Sequence, residues 1–399
     1  MLREIYDAIM SRCEAAFGLI AGRRLWLAWG VALAIALSLF ISFPRISFFL
    51  GTDAQIVNFW PVLERQAADP LATSGEQYKD HALHDAKLAF RLTLPLTMTV
   101  LHIDWRGLLA IQFGLGILLL VLVGKIAMDL FGDRIVALAS VFGVASIYAG
   151  KAAFLQLGGM GDAYAFAFLT VAVAFRSPPV IAAAVIAAAV IAACFTDERA
   201  VIVSPLLVVY WAMRHSDGRR PDWFNLQTFT VAGAILVAGV IRLVLMFGYG
   251  LHIPIGAGKD VGFSVLPLNL PNVQYELPHV LAGLWLWPLV ACIILVRNRW
   301  WFSLLVIAGV TGAIVAASFM VLDVDRSLAY TLPVLFVSMA IAAWARLGRE
   351  DLRSIAILGF LISLAFPVNN LLGGVSNRYS EGNLMPIELV RFYKYSTVR

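Results

Sequence analysis

Charge is what this sequence has least of. Only 14% of its 399 residues are Asp, Glu, Lys or Arg, while 61% are hydrophobic. Soluble domains run near a quarter charged and half apolar, so an ordinary soluble domain is excluded. Cysteine is scarce too. Cys13 lies in the N-terminal segment, and Cys194 and Cys292 lie inside apolar runs. That leaves neither a disulfide framework nor a metal-ligand spacing. Heptads, low-complexity tracts and clear internal repeats are absent. The GAGKD stretch at 256–260 lacks the GxxxxGK[ST] pattern of a phosphate-binding loop. No small-residue cleavage site follows the apolar run 25–43, so it reads as a retained first span and not as a cleaved signal. The net charge of +5 and pI near 9.2 do not require nucleic acid, because a membrane protein carries such an excess in its cytoplasmic loops.

What the sequence has in abundance is apolar runs. They fall at 25–43, 108–130, 135–149, 160–175, 179–195, 200–213, 228–247, 280–296, 302–322, 327–345 and 355–372. The expected fold is therefore an all-α polytopic transmembrane helical bundle of about eleven spans, several of them shorter than the ~20 residues of a straight crossing. The Ala-rich run 181–193 suits close helix packing through small residues.

Topology turns on one segment, 88–103, which reads LAFRLTLPLTMTVLHI and holds Arg91 and Pro95. If it crosses, every later basic loop lands outside. If it lies on the outer leaflet, Lys125, Arg134, Arg176, Arg214, Arg219, Arg220, Arg297, Arg299, Arg346, Arg349 and Arg353 all fall inside. The positive-inside rule selects the second arrangement, an N-in, C-out chain in the plasma (inner) membrane. The layout is then a cytoplasmic amphipathic helix at 1–24, one transmembrane domain at 25–373, and a polar outer tail at 374–399. A large first outer loop, 44–107, carries the surface helix 88–103.

The same topology gathers ionisable groups at the outer face. They are Asp53 in FLGTDAQ, His81 and His84 ahead of Arg91, Asp162 in GMGDAY, Asp197-Glu198-Arg199 in a short turn, and Asp323, Asp325 and Arg326 in DVDR. Charge at the edge of an apolar helix is costly unless paired or wet, which makes each group a site candidate. Each has a plain alternative. TDER and DVDR also read as hairpin tips with a capping Asp, the two histidines as solvated loop residues, and Arg242 as a packing ion-pair partner. Carboxylates can deprotonate a hydroxyl acceptor, and arginines can hold a phosphate and steady it as a leaving group.

In order of features the chain resembles the GT-C class of integral membrane glycosyltransferases. The resemblance rests on the first-loop acid Asp53, the surface helix with FRLTLPL, the GDAY and TDERA turns, and the late Asp325-Arg326 pair. It implies a transferase that moves a sugar from a polyprenyl-phosphate donor to a lipid, glycan or protein acceptor at the outer face. It also implies Asp53 as catalytic base and Arg199, Arg326 and Arg91 as donor-phosphate ligands. Asp162, Asp197, Glu198, Asp323, Asp325, His81 and His84 become supporting polar groups, and membrane lipid and the lipid-linked sugar become the partners. Many members of the class carry paired acids in the first loop, whereas Asp53 is followed by Ala54-Gln55. No cofactor and no bound metal are expected on that account. The rival readings are a transporter or lipid flippase, and a non-catalytic subunit of a membrane complex.

Overall fold

The computed structural model describes residues 2–44, 59–71, 88–216, 220–251, 262–366, 370–372, 375–377 and 382–397. Its architecture is an all-α bundle. Six helices are long and apolar enough to cross a membrane: Trp105–Phe131, Pro179–Thr196, Leu226–Tyr249, Leu266–Arg297, Trp301–Phe319 and Val324–Trp344. A seventh forms if Arg134–Ser146 and Tyr148–Leu155, bent by 59° at their junction, count as one span.

All eleven apolar runs of the sequence contain helix, but the others are short. Trp26–Ile41 has 16 residues and Asp162–Ala174 has 13. At ~1.5 Å per residue both fall below the ~30 Å of a bilayer core. Among the described residues, length and composition alone single out six helices, or seven with the bent pair, and the expected count of about eleven is neither met nor excluded by that test. Two apolar runs hold helices that are interrupted. Ser204 separates Glu198–Val203 from Pro205–Arg214, and Ile147 separates the bent pair.

Burial runs opposite to that of a soluble bundle. Val324–Trp344 is 89% buried and forms the centre, whereas Leu226–Tyr249 and Trp301–Phe319 are each 22% buried. Leu236, Val240, Leu243, Val244 and Phe247 point outward. A large exposed apolar surface on long helices with internally satisfied backbones is the signature of a lipid-facing wall. Close approach inside depends on missing side chains. A Cβ on Gly116 would strike Ala153, and one on Gly283 would strike the Gly359 carbonyl.

The expected surface helix is shorter than its apolar stretch. Helix runs only over Thr93–Leu101, nine residues ending at His102 in the left-handed region (φ 52°), and Asp104 caps the next helix through the N–H groups of Arg106 and Gly107. Nine residues reach ~14 Å, so this helix alone is too short to span a bilayer core. Leu94, Pro95 and Met98 pack inward, while Leu96, Val100 and Leu101 stay exposed.

The two chain ends are also ordered. The helix Leu2–Ala21 docks on the bundle through Phe17, whose ring lies 5.5 Å from Phe142 and 5.8 Å from Phe360. Toward the tail, Asn370–Leu372 pairs with Val375–Asn377, and Gly382–Asn383 pairs with Phe43–Pro44 at the end of the first apolar helix. The helix Met385–Thr397 follows. The tail is thus more structured than its polar composition suggests.

One end of the bundle is closed by Asp133. Its carboxylate caps Arg134–Ser146 through the N–H groups of Ile135 and Val136 at 2.8 and 3.2 Å, and accepts from Arg349 and from Arg353 at 2.9 Å. Burial works against its charge, but Arg349, the two backbone donors and Arg353 outweigh burial and hold its pKa below the usual value. Asp133→Ala is expected to cost about 1–2 kcal/mol from the lost cap alone, read as a lower thermal midpoint in detergent micelles. A folded pKa below the unfolded one gives stability that is complete at neutral pH. That share is lost as pH falls below about 4, so the midpoint difference between wild type and Asp133→Ala should shrink there.

Candidate functional site

Opposite that end, four stretches of chain meet at a buried ion network. Arg91 comes from the turn before Thr93–Leu101, and Asp162 opens Asp162–Ala174. Asp197 is the N-cap of Glu198–Val203, and Asp323 to Tyr330 lead into Leu332–Trp344. Helix length separates the two ends, since the 18 residues of Pro179–Thr196 span ~27 Å. The short turns of the sequence bring the groups together because helices on either side of each turn pack on one another. At Gly161 the contact is so close that a Cβ would lie 2.7 Å from Thr196 Cγ2.

Asp162 is the hub. Its side chain is 1% exposed, and its Oδ2 accepts from Arg326 Nε and Nη2, both at 2.7 Å, and from the Tyr148 hydroxyl at 3.3 Å. Its Oδ1 accepts from the Tyr330 hydroxyl at 3.1 Å and from Arg199 Nη2 at 3.5 Å. Arg326 also reaches Asp323 through Nη1. Arg199 turns back on Asp197, donating from Nε at 2.7 Å and Nη2 at 2.6 Å, and reaches Ser327 Oγ through Nη1. Its guanidinium lies 4.8 Å from the centre of the Tyr330 ring. Arg91 completes the set, with Nη2 at 3.0 Å from Asp197 and 2.9 Å from Glu198.

The electrostatics follow from the pairing. Burial opposes the charge on Arg91, but Asp197 and Glu198 outweigh it and raise the pKa. Burial also opposes the charge on Asp197, and Arg199 and Arg91 overcome it, so that carboxyl falls below its ordinary range. Asp323 goes the other way. Burial pushes it up even with Arg326 beside it, and its Oδ1 is buried with no hydrogen-bond partner among the described residues. Arg91, Arg199 and Arg326 face Asp162, Asp197, Glu198 and Asp323, three guanidiniums against four carboxyls. Among the described residues the network thus has no excess of basic groups over acidic ones.

Of the residues singled out in the sequence, the structure brings together Arg91, Asp162, Asp197, Glu198, Arg199, Asp323 and Arg326. Asp325 is buried on the same short turn of helix as Arg326. Asp53, His81 and His84 lie outside the described residues, as does 256–260. Among the described residues no carboxylate pairs with Arg242. It donates to the Cys194 carbonyl and sits 5.5 Å from the Phe90 and Phe195 ring centres. Among the described residues no trio of His, Cys, Asp or Glu is arranged to hold a metal.

Sequence reasoning missed Tyr148, Tyr330, Ser327 and Lys151. The tyrosines and the serine carry no signal, since each sits in an apolar run or a turn where such residues are ordinary. Lys151 did carry one, as a lone cation between two apolar stretches. A cleft of about 320 Å³ lies at the other end, lined by Leu130, Met213, Arg214, Ser216, Trp344 and Arg346 among others, away from the network.

Comparison with family models, curated proteins and solved structures finds no match.

Removing one partner of a buried pair strands the other. Asp162→Ala is expected to cost about 3–5 kcal/mol, measured by thermal unfolding of the purified protein. The double change Asp162→Ala with Arg326→Ala should cost less than the sum of the single changes. Additive effects would mean that the pair is not coupled.

Proposed function

We propose that the chain is a membrane glycosyltransferase that takes a sugar from a polyprenyl-phosphate donor and passes it to an acceptor at the outer membrane face. The observation that carries this reading is the ion network at one end of the bundle, set beside a short helix with an exposed apolar side. Intramembrane charge is retained where it is used or well paired, and this network is assembled from four separate stretches of chain. A lipid-linked sugar needs both features, an apolar flank for its tail and a charged centre for its head.

The network has one open side. The Arg91 side chain is 18% exposed and Glu198 43% exposed, whereas Asp162 and Asp197 are each 1% exposed. In this reading Arg91 meets the donor phosphate first, with Arg199 and Arg326 held behind it by carboxylates and already oriented. Asp53 serves as the base that deprotonates the acceptor hydroxyl. The basic groups of the opposite end, Arg134, Arg176, Arg214, Arg349 and Arg353, support placing that end in the cytoplasm.

A specific observation favours a second reading, an anion transporter or lipid flippase. Lys151 is 1% exposed and sits just past the 59° bend between Arg134–Ser146 and Tyr148–Leu155. A broken helix with a buried charge is the arrangement found at transporter binding sites.

One comparison separates the two. Surface glycans and glycolipids are profiled in a strain lacking the protein, complemented with wild type or with Asp53→Asn at equal expression. The transferase reading expects wild type to restore a missing glycan and Asp53→Asn to leave it below about a thousandth of that level. Full restoration by Asp53→Asn sinks the proposed base and moves the transporter reading ahead.

A further inference from the structure

Every cation of the ion network faces a carboxylate, yet a fourth buried cation close by does not. The Lys151 ammonium is 1% exposed, and its hydrogen-bond partner is the Ser42 hydroxyl at 3.1 Å. Among the described residues no carboxylate reaches it. An ammonium has three donors, and one hydroxyl answers one of them. A buried ammonium with no counter-ion among the described residues is a costly arrangement for a protein interior.

The position is informative. Tyr148 precedes Lys151 by three residues on the helix Tyr148–Leu155, and residues three apart share a helix face. Tyr148 donates to Asp162, the hub of the network. Lys151 is thus one turn from the network but outside its charge balance. On its other side, the strand Phe43–Pro44 lies against this helix, held by a short pairing with Gly382–Asn383. Ser42 stands directly before that strand.

We propose that Lys151 and Ser42 form an anion site for a phosphate group, reached when the Phe43–Pro44 strand moves aside. A compact ammonium on a flexible stem contacts a phosphate oxygen as a point charge, and the Ser42 hydroxyl supplies a second donor. Each arginine of the network already faces a carboxylate, whereas among the described residues no carboxylate faces Lys151. Under the transferase reading the phosphate is that of the lipid carrier; that clause rests on the reading, whereas the site itself does not.

The test uses the full chain in zwitterionic detergent, titrated calorimetrically with farnesyl phosphate, farnesol and inorganic phosphate. Wild type is expected to bind farnesyl phosphate and not farnesol. Lys151→Gln should weaken farnesyl phosphate at least about ten-fold, and Ser42→Ala about three-fold. The exposed control Arg106→Gln should stay within about two-fold of wild type. Thermal unfolding guards against misfolding, because Lys151→Met removes an unpaired buried charge and should melt no lower than wild type while losing the ligand. Equal binding of inorganic phosphate and farnesyl phosphate supports the site with free phosphate as its source. Binding that is unchanged in Lys151→Gln, or a wild type that takes neither phosphate or takes farnesol equally well, overturns the proposal. A glycan profile that does not change, with phosphate binding intact, sinks the transferase reading and leaves this site standing.

Discussion

The pairing of Asp162 with Arg326 is the contact on which this end of the protein depends. In an interior with little water, either group alone carries a desolvation penalty of several kcal/mol. Together they meet with two donors at 2.7 Å, and the remaining lone pairs of Asp162 take the hydroxyls of Tyr148 and Tyr330. Because Tyr148, Asp162, Arg326 and Tyr330 come from distant parts of the chain, this one carboxylate fixes the ends of three helical segments against one another. Arg199 then ties Asp162 to Asp197, and Arg91 ties Asp197 to Glu198 at the open side. Geometry that strict limits the ways the surrounding helices can pack.

The opposite end uses the same chemistry for a plainer purpose. Asp133 takes two backbone N–H groups and two arginines, and Arg353 also approaches Glu14 of the N-terminal helix at 3.7 Å. There the acid is a helix cap with a clasp around it, and the arginines are partly in water. Charge of both signs sits at both ends of the bundle. The ends differ in burial, and only the network end is shut away from solvent on most sides.

Much of the fold was legible because a bilayer tolerates few options. Long apolar runs become helices, and every one of the eleven contains helix. Counting the spans was harder, because a hydropathy pattern does not reveal where a helix breaks. Ile147 is itself apolar, and nothing in its side chain marks the 59° bend beside it. The network was legible in part. Asp162, Asp197, Arg199, Asp323 and Arg326 stood out because charge is rare here, and the structure brings them within contact of one another. What the sequence withheld was their mutual pairing, in which each guanidinium is already held by a carboxylate. It also withheld the tyrosines, whose hydroxyls matter only once Asp162 is known to need them.

The small ladder between Phe43–Pro44 and Gly382–Asn383 bears on how the protein is made. A ribosome delivers the first apolar helix long before residues 382–383, so the exit of that helix stays unpaired while the helices between them are made. Lys151, seated against this strand, acquires its final surroundings only when the tail arrives. A nascent chain halted before residue 382 would hold its helices without this ladder beside that lysine.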